Sequence, residues 1–156
     1  MSKTSMEEIL AHNGRLVYSS VGDSMYPLIR QGRDLLVVER PKRWNRLPEG
    51  TYTEKLKKYE IALYKRDNGK AYVLHRVLSV RNNDYVICGD NRWYCERGIN
   101  DRHIIGVLTA VIRNGKEIPL SGIRYRLYVF IWCCLFPIRY MILRGKSVVK
   151  RIKTKK

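Results

Sequence analysis

The stretch "YEIALYKRDNGKAYVLHRVLSVRNNDYVICG", residues 59–89, decides how the chain is to be read. Three runs rich in β-branched and aromatic residues (59–66, 71–81 and 85–89) are separated by Asp-Asn-Gly-Lys at 67–70 and Asn-Asn-Asp at 82–84. Such runs fit a pleated, half-buried surface. Asn-Gly supplies the positive φ angles of a tight hairpin. The stretch therefore predicts three consecutive strands joined by short turns.

The same signals recur on either side. "RLVYSSV" (15–21) and "DLLVVER" (34–40) read as strands upstream, and "HIIGVLTAVIR" (103–113) turns at Asn114-Gly115 into "KEIPL" (116–120) downstream. Ser5 and Glu8 have capping-box spacing and Gly14 is a helix stop, which predicts a short helix over 6–13. Residues 41–58, with two prolines and many charges, and residues 89–102 read as loops. The fold class is mainly β: a curled antiparallel sheet or small barrel, with a short N-terminal helix and a C-terminal apolar and basic helical segment. The expected organisation is a β domain over 1–123 and a membrane-associating tail over 124–156.

Charge sets the tail apart. The 156-residue chain carries a formal +17, and ten of its 31 lysines and arginines lie between Arg124 and Lys156, with no acidic residue after Glu117. A basic tail suits nucleic acid or an anionic membrane. Here it accompanies twelve uninterrupted apolar residues, Leu127 to Ile138. That run is short of the roughly 20 residues a span needs, so the expected partner is an anionic membrane surface, reached by an interfacial segment with a polybasic flank. The alternative is a buried helix or an oligomer contact. The opening "MSKTSMEEILAHNG" has two glutamates and no apolar run, unlike a signal peptide. Cys88, Cys95, Cys133 and Cys134 show no Cys-x-x-Cys pair and no metal spacing, so neither a metal nor a structural disulfide is expected. Cys133 and Cys134 read as small hydrophobes or palmitoylation sites. With no glycine-rich phosphate loop either, no cofactor is expected.

Ser24 lies in "SSVGDSMYPLIRQGRDLLVV" (19–38), in a turn before a strand. A serine becomes a nucleophile only with a base to take its proton. Of three histidines, His12 lies on the N-terminal helix and His103 opens a strand. His75 sits inside "YVLHRVL", sharing a face with Val73, Val77 and Ser79, where an imidazole requires partners. It is either a satisfied core histidine or a base.

"GDSMYPLIRQGRD" (22–34) resembles the Ser-Met-x-Pro…Gly-x-Asp signature of the signal peptidase I family, in the clan it shares with the SOS repressors. "YEIALYKR", "LHRVLSV" and "GDNRWYCERGINDRHIIGVL" resemble the family's further blocks, in order, over residues 18–112. The resemblance implies a signal peptidase-like catalytic domain with Ser24 as nucleophile. His75 stands where many relatives have lysine, as in the family's Ser-His branch. Asp101, five residues before Gly106, would orient His75, and Asp90 would fix the turn through backbone N–H groups. Gly22 offers only backbone at a position often held by serine. Met25 and Pro27 would present the nucleophile. The implied activity is serine endopeptidase cleavage of a leader or signal peptide after small residues. The self-cleaving repressor reading needs a helix-turn-helix, which the 23 residues before Ser24 lack. A peptide-binding homologue without catalysis, or a basic β module binding nucleic acid, would be the alternatives; the second leaves the ordered blocks unexplained, which argues against nucleic acid.

Overall fold

The computed structural model describes residues 5–41, 44, 53–67, 69, 71–82 and 84–153. The elements run α1 (Met6–Asn13), β1 (Arg15–Ser19), β2 (Asp34–Glu39), β3 (Ile61–Tyr64), β4 (Val73–Val80), β5 (Tyr85–Cys88) and β6 (Glu96–Ile99). A 3-10 turn (Asp101–His103) leads into β7 (Ile104–Arg113), β8 (Lys116–Pro119), α2 (Ile123–Cys134) and α3 (Phe136–Lys153). Local chemistry explains the ends of α1. The Ser5 hydroxyl accepts from the Glu8 N–H while Glu8 accepts from the Ser5 N–H, and Gly14 closes the helix in the left-handed region at φ 69°. The expected turn at 114–115 has both residues at positive φ, 51° and 73°. The other expected turn, Asp-Asn-Gly-Lys at 67–70, includes Asn68 and Lys70, which lie outside the described residues.

The strands form one antiparallel eight-stranded sheet in the order β1-β2-β7-β3-β4-β5-β6, with β8 on β7. The sheet is open, so the barrel alternative does not hold. The ten residues of β7 pair with β2 on one side and with β3 and then β8 on the other. Alternation along β3 divides the core between two faces. Ile61 and Leu63 join Leu10 of α1, Leu36, Val38 and Met25, whereas Ala62 and Tyr64 join Val77, Tyr85, Ile87 and Ile104.

One loop expected from composition behaves otherwise: residues 89–102 contain β6, which pairs with β5. Much of 41–58 lies outside the described residues; residues 53–58 are irregular and largely exposed, as expected, but Trp44 and Leu56 are buried in the second core. After β8 the chain enters α2, whose side chains reach back to the sheet. Arg76 donates to the Tyr125 hydroxyl at 2.8 Å, the Tyr128 hydroxyl donates to Asp90 at 2.9 Å, and Trp132 Nε1 donates to the Asp90 carbonyl at 3.0 Å. Pro137 lacks the N–H that would continue the α2 ladder, and α3 departs at 69°. Among the described residues no single helix is long and apolar enough to cross a membrane; α2 and α3 pass that test only as a bent pair.

Candidate active site

The β1–β2 connection carries Ser24, and a buried carboxylate ties it down. Asp34, 2% exposed, accepts from the Arg30 N–H and from both Arg33 and Arg113, while Arg113 also donates to the Leu28 carbonyl. Met25 and Ile29 drop into the first core, and the Tyr26–Pro27 peptide bond is cis. Ser24 remains half-buried beside a cleft of about 210 Å³ lined by Tyr18, Val21, Met25, Tyr72 and Leu74. Its hydroxyl and N–H make no hydrogen bond among the described residues.

The loop after β5 closes on this segment. Asn91 donates its N–H to the Ser24 carbonyl at 2.7 Å. Asp23 accepts from Arg92 at 2.8 Å and from the Asn91 side chain at 3.2 Å, so its charge is engaged by a guanidinium. Gly89 lies where the two segments meet: a Cβ there would stand 2.7 Å from the Ser24 carbonyl oxygen and 3.0 Å from His75 Nε2. The first distance is too short for any side chain and the second is tight, so glycine permits the approach.

His75, 6% exposed on β4, presents Nε2 toward that junction. Its other nitrogen, Nδ1, is 3.1 Å from Glu96 Oε1 and 3.2 Å from the Tyr64 hydroxyl. Tyr64 in turn donates to Glu96 Oε1 at 2.8 Å, and Arg66 binds Glu96 Oε2 at 2.8 Å. The hydrogen bond from His75 holds the Glu96 carboxyl down at about 2 against the opposing effect of burial, and Tyr64 and Arg66 add to it. An anionic acceptor favours the ring proton of a neutral His75 on Nδ1 and leaves the Nε2 lone pair facing the Gly89 junction. Such a pair can take a hydroxyl proton and return it to a leaving group.

The carboxylate at His75 is thus Glu96 and not Asp101. Asp101, 7% exposed, accepts from the Tyr85 hydroxyl within the second core. Asp90 is also engaged differently from expectation. Its carboxylate takes the Arg76 guanidinium in two bonds, Nε to Oδ1 at 2.8 Å and Nη2 to Oδ2 at 2.7 Å, rather than backbone N–H groups. Both partners are 1% exposed, and a buried carboxylate requires such a counter-charge. The Gly22 N–H is already given to Gln31 Oε1 at 2.8 Å, so that backbone donor is occupied.

Sequence reasoning missed Glu96, Tyr64 and Arg66 on one side of His75, and Arg76 as the partner of Asp90. The signal for Glu96 was thin: it is the one acidic residue between Asp90 and Asp101. Only the β5–β6 register, Ile87 opposite Glu96, carries it to the histidine. Compared with family models, curated proteins and solved structures, the chain matches none.

Proposed function

We propose that the chain is a membrane-associated serine endopeptidase of the signal peptidase I type, cleaving a leader or signal peptide after small residues. The observation that carries this reading is His75. One ring nitrogen is held by an ionised Glu96, and the other faces the junction with the Ser24 segment. In the mechanism, Ser24 Oγ attacks the scissile carbonyl as His75 Nε2 accepts its proton. Glu96 stays ionised and stabilises the imidazolium. The unengaged Ser24 N–H donates to the tetrahedral oxyanion. His75 then protonates the leaving amine, and water releases the acyl-enzyme by the same steps in reverse order of roles. The cleft of about 210 Å³ beside Ser24 offers room for a substrate side chain next to the scissile bond.

The membrane part of the reading is supported by the bare faces of the two C-terminal helices. Leu127, Phe130, Ile131, Leu135, Ile138 and Met141 are exposed, and the segment holds ten cations without an anion. Burial of those side chains and attraction to anionic headgroups act together at an interface.

The test is cleavage of a synthetic leader peptide ending in Ala-x-Ala, followed by mass spectrometry. Ser24→Ala is expected to lower the rate about 10³-fold or more while leaving the thermal midpoint in place. Undiminished cleavage by that variant would assign the activity to another nucleophile and overturn the reading.

A further inference from the structure

The β5–β6 hairpin that delivers Glu96 also brings together two thiols that the mechanism does not use. Ile87 lies opposite Glu96, and the same register continued by one residue sets Cys88 opposite Cys95. Opposed residues of an antiparallel pair have Cα atoms about 4.5–5.5 Å apart, within the range a disulfide bridges. Cys88 Sγ lies 3.1 Å from the carbonyl oxygen of Tyr94, the residue just before Cys95, and both thiols are reduced. Cys88 is buried, whereas Cys95 is partly exposed. The hydrogen bond from Cys88 draws the Cys95 thiol down to about 7 against burial, and the Arg139 and Arg97 guanidinium groups draw it the same way. The same bond and burial push Cys88 up. One thiol is thus accessible and nucleophilic near neutral pH, and the other is sheltered behind it, which is the division between an attacking and a resolving cysteine.

We propose that Cys88 and Cys95 are a redox-active dithiol that takes low-molecular-weight disulfides as its oxidant, and that its closure governs the site built on His75. The Cys95 thiolate attacks one sulfur of the reagent; an S–S bond forms to Cys95, the reagent's own S–S bond breaks, and a thiolate leaves. Cys88 gives its proton to solvent and attacks the Cys95 sulfur, expelling the second reagent thiol. Two electrons and two protons pass from the protein to the reagent, which ends as two thiols. Cys88 immediately precedes Gly89, the point of contact with the Ser24 carbonyl and His75 Nε2, and Cys95 immediately precedes Glu96, which holds Nδ1. A bond between them acts on both supports of the imidazole at once. The effect on catalysis rests on the peptidase reading; the dithiol chemistry does not.

The full chain is titrated with oxidised glutathione at neutral pH and analysed intact and by non-reducing peptide mapping. The expected product is lighter by about 2 Da, carries no glutathione, contains a Cys88–Cys95 linked peptide, and reverts with dithiothreitol. Cys88→Ser is expected to stop at a stable mixed disulfide on Cys95. A wild-type protein that stops there too, or that links Cys133 or Cys134 instead, would overturn the dithiol. In parallel, leader-peptide cleavage by the oxidised wild type is expected to fall about tenfold or more and to recover on reduction, with Cys95→Ser insensitive to the reagent. A disulfide formed with undiminished cleavage overturns control of the site. A reduced protein that cleaves nothing counts against the peptidase reading alone, because the linked peptide still decides the dithiol.

Discussion

Glu96 stays charged throughout the range in which a histidine serves as base. Its folded-state value near 2 lies below the ordinary 4.5, so the stabilisation it provides is complete above about 4.5 and is lost as the pH falls toward 2. Glu96→Gln keeps the shape and removes the charge, and leaves His75 without the anion beside Nδ1. The expected result is a kcat/KM lower by about 10²–10⁴-fold. A thermal midpoint that declines less between pH 4.5 and 2 than in the wild type accompanies it. Stopped assays across pH and calorimetry on both proteins check these outcomes. A variant with unchanged kcat/KM would show that the carboxylate does nothing for the base. The serine and the histidine were legible because each stands in a motif of neighbouring residues. The acid was not, because Glu96 is brought to His75 by cross-strand pairing, and no run of neighbours announces it.

At the scale of elements, α2 is amphipathic in an uncommon sense: an aromatic polar face turns inward and an apolar face turns out. Tyr125, Tyr128 and Trp132 point to the Arg76–Asp90 pair, while Leu127, Phe130 and Ile131 stay exposed. The pair is fully served, since Arg76 also donates to the Tyr59 carbonyl and Asp90 accepts from Tyr128. Removing one donor from a buried charge leaves that charge under-satisfied. Tyr128→Phe is therefore expected to lower stability by about 1.5–3 kcal/mol, read as an earlier urea midpoint at an unchanged slope. An unshifted midpoint would show that the Tyr128–Asp90 bond contributes nothing to stability. The elements with local signatures, the capped helix 6–13 and the 114–115 turn, were legible to within a residue or two. β6 was not, because Arg97 and Gly98 break any apolar alternation and its pairing with β5 alone makes it a strand. The apolar run after residue 124 was legible as helical, but its polar aromatic contacts with the sheet depend on the buried Arg76, which reads in the sequence as an ordinary strand residue.

At the scale of the molecule, the cations are unevenly distributed along the chain, with ten of the 31 after residue 123. The basic segment and the exposed apolar side chains of α2 and α3 belong to the same stretch of chain, so association with lipid is expected to need both charge and apolar burial. Full-length protein is expected to co-sediment with vesicles containing phosphatidylserine and to remain in the supernatant with neutral phosphatidylcholine. Raising the salt from 0.1 to about 1 M, which shortens the screening length from about 10 Å to about 3 Å, is expected to release much of it. Equal binding to both kinds of vesicle would remove the electrostatic part of the account. Truncation of residues 124–156 is a poor substitute for this measurement, since it also strips Tyr128 and Trp132 from Asp90.

The long strand β7 carries a consequence for the order in which the protein comes into being. Within the sheet, β1 and β2 touch the remaining strands only through β7, which pairs with β2 along one edge and β3 along the other. Ser24 belongs to the first group, and His75 and Glu96 to the second. A growing chain that has not yet extruded residues 104–113 holds Ser24 and His75 in two fragments with no common strand between them. The candidate site is therefore drawn from two groups of strands, and the sheet that joins them is whole only when both close on the same backbone.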